Sequence, residues 1–199
     1  KNFAQGKIFF FIYFYMDILL IKYLVGDLDL GYYNVAFIFV LGSLLFTDAY
    51  QKLYTFKYYY YSKHKPNYFK KIFNQGTFFL GIISILIVLL LIFFSKIIIN
   101  QLYGLEYSNS IEILIILSLM IPFRFLFTNY AMALRTLNYA LHEANNLRNI
   151  VIIKFPISIY MIIEYGIIGG AISTVVCEAI LFLLCYYSVK KLIFYNTNV

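Results

Sequence analysis

Long apolar stretches separated by short polar connections set the pattern of this chain. Six stretches approach the roughly 20 residues that a helix needs to cross about 30 Å of hydrocarbon. They run over 8–25, 32–53, 72–94, 111–134, 150–164 and 167–189. The third is the cleanest, with no charged residue from Phe78 to Phe94. The fifth is the shortest and carries Lys154 and Pro156, which predicts a tilted or broken helix there. The pattern predicts an all-α, polytopic transmembrane helix bundle of about six spans, a single lobe over residues 1–199 with almost nothing outside the bilayer.

Charge in the connections orients that bundle. Gly26-Asp27-Leu28-Asp29-Leu30-Gly31, between the first two spans, carries two acids and no base. The next connection, Lys52 to Lys71, holds Lys52, Lys57, Lys63, Lys65, Lys70 and Lys71 and no acid. Lys96 is opposed by Glu106 in the third, Arg135 and Arg148 stand with Glu143 in the fourth, the fifth has only Glu164, and Lys190 and Lys191 follow the last span. Basic connections alternate with non-basic ones. By the positive-inside rule both ends of the chain, the Lys-rich connection and the Arg135 to Arg148 connection are cytoplasmic.

Composition excludes a soluble domain. Of 199 residues, 63% are hydrophobic, 21% aromatic and 13% charged, and too few polar groups exist to cover the surface of a small soluble fold. The net charge of +7 would suit any polyanion, but the bases sit between apolar runs, where anionic headgroups lie, so nucleic acid is not expected as a partner. The tyrosines at 58–61 beside those lysines are expected to form an interfacial belt. The chain opens at Lys1 almost directly into a span, so an N-terminal portion is expected to be missing.

Ionisable groups within the spans are the candidate chemistry, because each is costly in hydrocarbon unless it faces a partner or a cavity. Asp17 lies near the middle of the first span, Arg124 in the fourth two residues after Pro122, Lys154 in the fifth and Glu178 in the sixth, with Lys22 and Asp48 nearer span ends. Arg124 is the first candidate for binding a phosphate, since a guanidinium can pair with it through two hydrogen bonds. The competing reading is an internal ion pair with Asp17 or Glu178 that fixes helix packing. Lys22 and Lys154 are long enough to snorkel to an interface. Gly166, Gly170, Thr174 and Glu178 form one stripe, in which small residues permit close helix approach. Cys177 and Cys185 are about 12 Å apart along a helix, too far to bridge, and read as packing residues. No spacing indicates a metal site, a cofactor site or a catalytic centre, and His64 and His142 lie in basic connections.

Three segments carry a family resemblance. Met16-Asp17-Ile18-Leu19-Leu20 with Gly26 to Ala36, Leu102 to Ser110 leading into Ile111 to Leu119, and Gly166-Ile167-Ile168-Gly169-Gly170-Ala171-Ile172-Ser173-Thr174 occur in order along nearly the whole chain. The last is similar to a Gly-x-x-Gly-Ala-Ala-x-x-Thr pattern. Together they resemble the C-terminal half of polysaccharide-exporter flippases of the multidrug/oligosaccharidyl-lipid/polysaccharide superfamily. The resemblance implies one six-helix lobe of a two-lobed transporter in the bacterial inner membrane, not an enzyme. Its cargo would be undecaprenyl-pyrophosphate-linked O-antigen or capsule repeat units. Membrane lipids, a polysaccharide polymerase and a chain-length regulator are the implied partners. In that reading Arg124, then Lys22 and Lys154, would hold pyrophosphate and sugars, and Asp17 or Glu178 would couple transport to an ion. Rival readings are a lipid II flippase, a multidrug or cation antiporter, or a membrane polymerase or ligase of the same pathway.

Overall fold

A computed structural model describes residues 2–191. Residue 1 and residues 192–199, which the 1–199 lobe included, lie outside the described residues. All described structure is helical: α1 (Asn2–Leu24), α2 (Asp27–His64), α3 (Pro66–Tyr103), a single 3-10 turn (Leu105–Tyr107), α4 (Asn109–Ser118), α5 (Ile121–Thr136) and α6 (Ala140–Val189). The all-α bundle is as the apolar pattern predicts. Four stretches, Asp27–His64, Pro66–Tyr103, Asn109–Thr136 and Ala140–Val189, are long and apolar enough to cross a membrane.

Each change of direction has a local cause. Gly26 (φ 129°), Gly104 (φ 87°) and Gly166 (φ 59°) take left-handed backbone that side chains disfavour, and each breaks a helix at the same end of the bundle. At the opposite end, Lys65 is followed by Pro66, which cannot donate into a continuing helix and instead opens α3. Asn138 (φ 67°) closes α5, where the Tyr139 amide reaches back to the Leu134 carbonyl at 2.7 Å.

α6 has 50 residues, about 75 Å if straight, far more than a bilayer needs. It folds on itself at Gly166. The two arms run antiparallel, with Ser158 Oγ 3.1 Å from Ser173 Oγ and Asn146 Nδ2 donating to Ser188 Oγ at 3.0 Å. A Cβ built on Gly169 would lie 1.9 Å from the Met161 carbonyl oxygen, so only glycine allows this closeness. Gly170 meets Ile21 of α1. The small-residue stripe therefore divides its work: Gly166 makes the turn, and Gly169 and Gly170 permit the approach. Counting α4 with α5, and the arms of α6 separately, the chain runs along the bundle six times.

Several boundaries differ from the sequence reading. Gly26 to Gly31 is not a loop, because α2 begins at Asp27, and Asp27 and Asp29 occupy its first turn, where acids suit the positive end of the helix dipole. The fourth span is two helices. Pro122 has no amide to continue the hydrogen-bond ladder, so α4 ends at Ser118 and α5 starts at Ile121. Pro156, by contrast, sits inside α6 without ending it. The Lys-rich connection is also helical. α2 and α3 continue as a hairpin to Lys65, and the 11 residues from 54 to 64 carry α2 about 16 Å past the expected span. Material beyond a 30 Å slab is thus greater than the apolar pattern suggested.

The core lies where α1 runs along α6, α5 packs between α6 and α3, and α2 closes on α4 and α5. Leu114, Leu117, Ile121, Phe125, Cys177, Leu181 and Cys185 are among its fully buried side chains, and the two cysteines are unbridged. The outward faces carry large apolar residues such as Phe78, Ile85, Leu90 and Phe93, the composition that faces lipid.

Candidate functional site

Four of the six ionisable groups singled out within the spans are buried, and they form two ion pairs. Arg124 (3% exposed) of α5 pairs with Glu178 (0%) on the second arm of α6. Lys154 (1%) on the first arm pairs with Asp17 (2%) of α1, Nζ to Oδ2 at 2.6 Å. The pairing follows from where α1 runs: its middle lies against both arms of α6, so Asp17 meets Lys154 and Thr174 together.

Asp17 is fully partnered. Ser158 Oγ donates to Oδ1 at 2.7 Å and the Thr174 hydroxyl donates to Oδ2. Ser173 lies behind Ser158, and the Tyr33 hydroxyl of α2 lies 3.3 Å from Thr174 Oγ1. Lys154 Nζ also donates to the Tyr13 carbonyl at 3.1 Å and stands 4.4 Å from the centre of the Tyr13 ring. A buried pair persists when its remaining lone pairs and protons are satisfied in this way. Lys154 therefore does not snorkel; its charge is used inside. Lys22, expected as a second cationic ligand, is exposed in the last turn of α1 and stands outside the cavity described below.

Arg124 has a different environment. Its guanidinium carbon lies 5.3–5.6 Å from the ring centres of Phe10, Tyr13, Phe14 and Phe127, an aromatic enclosure that stabilises a cation through ring quadrupoles. Yet among the described residues Arg124 Nε, Glu178 Oε2 and the Tyr13 hydroxyl find no hydrogen-bond partner. Buried groups of this kind are usually satisfied, and exceptions call for an explanation.

Arg124 also borders a cavity of about 440 Å³ between α1, α2, α5 and α6. Phe11 and Leu44 are among its apolar walls, and Thr47, Asp48, Gln51, Arg135 and Glu143 add polar groups. Arg135 and Glu143 pair at 3.2 Å and Arg135 Nη2 donates to Gln51 Oε1 at 2.8 Å, tying α2, α5 and α6 together there. Eleven residues of α5 separate Arg124 from Arg135, about 16 Å of helix. The cavity therefore runs from the buried Arg124 toward the end of the bundle that carries the lysines. Glu178, Asp17 and Lys154 stand behind its wall rather than on it.

One polar cluster had no counterpart in the sequence reading. Asn129 Oδ1 accepts from Tyr58 (2.7 Å) and Tyr50 (3.2 Å), while its Nδ2 donates to the Phe73 carbonyl (3.2 Å) and Thr77 Oγ1 (2.9 Å). It clamps α2, α3 and α5. Tyr58 is thereby fully buried, not part of the expected interfacial belt, because Gly76 leaves room for both tyrosine hydroxyls. The available signal was Asn129 itself, an amide inside an apolar span.

Fold and site define a polytopic membrane protein, a helical bundle with two buried ion pairs among the described residues and a cavity that Arg124 lines. No protein-family model, curated protein or solved structure matches the chain.

Proposed function

We propose that the chain is one lobe of a flippase that moves lipid-linked oligosaccharide repeat units across the bacterial inner membrane for O-antigen or capsule synthesis. The observation that carries this reading is that Arg124 lines the cavity, its guanidinium held by aromatic rings with Nε buried and unpartnered among the described residues. A lipid pyrophosphate offers the acceptors such a group lacks, apolar walls suit sugar faces and isoprenoid carbons, and the acyl chain stays in the bilayer. The lysine-bearing end of the bundle faces the cytoplasm by the positive-inside rule, as do both ends of the chain, so the cavity opens toward the side on which such units are made. Its partners are then the lipid-linked oligosaccharide, membrane lipids, and the polymerase and chain-length regulator that act on the exported units. The sequence resemblance supports the reading independently of the site.

Deletion of the gene in its source bacterium tests it. A flippase mutant loses surface polysaccharide and accumulates single lipid-linked repeat units that a membrane-impermeant sugar oxidant cannot reach. If the accumulated units were reachable from outside, the protein would be a polymerase or ligase. Unchanged polysaccharide with drug sensitivity would make it a multidrug antiporter, and arrested peptidoglycan synthesis a lipid II flippase. Arg124→Ala is expected to reproduce the deletion while Arg124→Lys retains part of the export. Full export by Arg124→Ala would reduce the Arg124–Glu178 pair to a packing device.

A further inference from the structure

Arg124 belongs to two environments. On one side it faces the cavity; on the other it holds Glu178. We propose that the Arg124–Glu178 pair is an exchangeable one: a phosphate-like oxyanion entering the cavity takes the guanidinium from Glu178, and Glu178 takes up one proton. The inference rests on the flippase reading for its anion and adds how the site balances charge.

The surroundings of Glu178 require the proton. Arg124 is the cation paired with it. The neighbouring cation, Lys154, is committed to Asp17 at 2.6 Å, and that carboxylate is fully partnered. The other titratable groups within electrostatic reach are Tyr13 of α1 and Cys177 on its own helix, both neutral in ordinary conditions. A carboxylate left with no cation in such a place is costly, and protonation removes the charge. The new carboxylic acid is provided for. The Tyr13 hydroxyl and Glu178 Oε2 are both buried and without a hydrogen-bond partner among the described residues, so a buried donor and a buried acceptor stand free when Arg124 turns away. The aromatic enclosure supports the same motion. Four ring faces stabilise the guanidinium without fixing its hydrogen-bond direction, so it keeps that support while its N–H groups change partner.

The balance is simple: oxyanion plus one proton enter, the Glu178 carboxylate becomes a carboxylic acid, no covalent bond to carbon or phosphorus changes, and the proton offsets one of the negative charges that the oxyanion brings. Anion binding then weakens as pH rises, because the proton must be found at lower activity.

The test uses the purified full chain in detergent with inorganic pyrophosphate as the probe, by titration calorimetry in two buffers of different protonation enthalpy. Uptake of about one proton per bound anion is expected, with affinity falling as pH is raised from 6 to 8. Glu178→Gln, checked for a native-like gel-filtration profile, is expected to bind about tenfold tighter at pH 8 and to take up no proton, since the competing carboxylate is gone. Binding with no proton uptake by the wild-type protein overturns the exchange and leaves the flippase reading standing. So does a folded Glu178→Gln that binds more weakly than wild type. No binding of pyrophosphate at any pH, with the protein monodisperse, overturns both. The wild-type two-buffer measurement decides the matter even if the variant does not fold.

Discussion

Lys154 Nζ lies 2.6 Å from Asp17 Oδ2, and both side chains are buried between α1 and α6. The two residues keep unequal company. Asp17 would retain donors from Ser158 and Thr174 if the lysine were lost, whereas Lys154 would retain only the Tyr13 carbonyl and ring if the aspartate were lost. Breaking one half of a buried pair costs about 3–5 kcal/mol. Asp17→Leu is therefore expected to be worse than Lys154→Met, and the double variant milder than the sum of the two. Thermal melts of the purified variants in one detergent check this. Additive losses would mean that the pair contributes nothing beyond its separate members.

Asn129 is expected to be the most sensitive uncharged position. Asn129→Leu removes four hydrogen bonds: it leaves the Tyr50 and Tyr58 hydroxyls with only each other at 3.3 Å, while Thr77 keeps its bond to the Phe73 carbonyl, and a buried group left without a good partner costs about 1–3 kcal/mol. Tyr58→Phe deletes one of those bonds along with its donor and is expected to cost about 1 kcal/mol. Melting temperatures of the two variants should differ accordingly, and equal values would show that the cluster is wet or loose.

How much of this was legible beforehand depended on the kind of signal. Apolar run lengths located all six passes, and alternating basic connections implied an even number of crossings, because both follow from composition along one helix. Glycine and proline gave the turns only in part: Gly26 and Gly166 mark ends, but Gly31 lies inside α2 and Pro156 inside α6. Whether a proline breaks a helix depends on what packs around it, and a single sequence does not contain that. The four buried charges were visible as costly residues in apolar surroundings. Their partners were legible only in part: an ion pair of Arg124 with Asp17 or Glu178 was one of the two readings and the structure has it with Glu178, but Lys154 with Asp17 was not foreseen, since the pairing is a choice made by the crossing of α1, α5 and α6. Lys22 looked equivalent to Lys154 and ends exposed, because reach to an interface is a matter of depth. The cavity was invisible, as it belongs to four helices at once.

The α6 hairpin offers a comparison between glycines. A Cβ on Gly169 would stand 1.9 Å from the Met161 carbonyl oxygen, a backbone atom that cannot move aside without opening the hairpin, and Gly170 is tight against Ile21. Gly42 and Gly81 have open space around them in ordinary helices. Gly169→Ala is expected to lower the yield of monodisperse protein and its melting temperature. Gly81→Ala is expected to be neutral or slightly stabilising, by up to about 1 kcal/mol of helix propensity. Fluorescence-detected gel filtration of the two reads the contrast directly, and a tolerant Gly169 would mean that the arms stand further apart than described.

Sidedness gives the last prediction. Gly26, Gly104 and Gly166 turn the chain at one end of the bundle, and the Lys65 turn and Asn138 turn it at the other. Cys177 and Cys185 are buried and unbridged, so they can be replaced by Ala or Ser to give a quiet background. Single cysteines are then placed at Asp27 and at Lys63, both exposed. A membrane-impermeant maleimide added to intact cells is expected to label the cysteine at position 27, and the one at 63 only after permeabilisation, because the lysine-bearing hairpin end stays on the side where translocation of bases is disfavoured. Labelling of both from outside would place the two ends of α2 in one compartment, and a 38-residue helix that fails to cross cannot bring its cavity to a bilayer-spanning path.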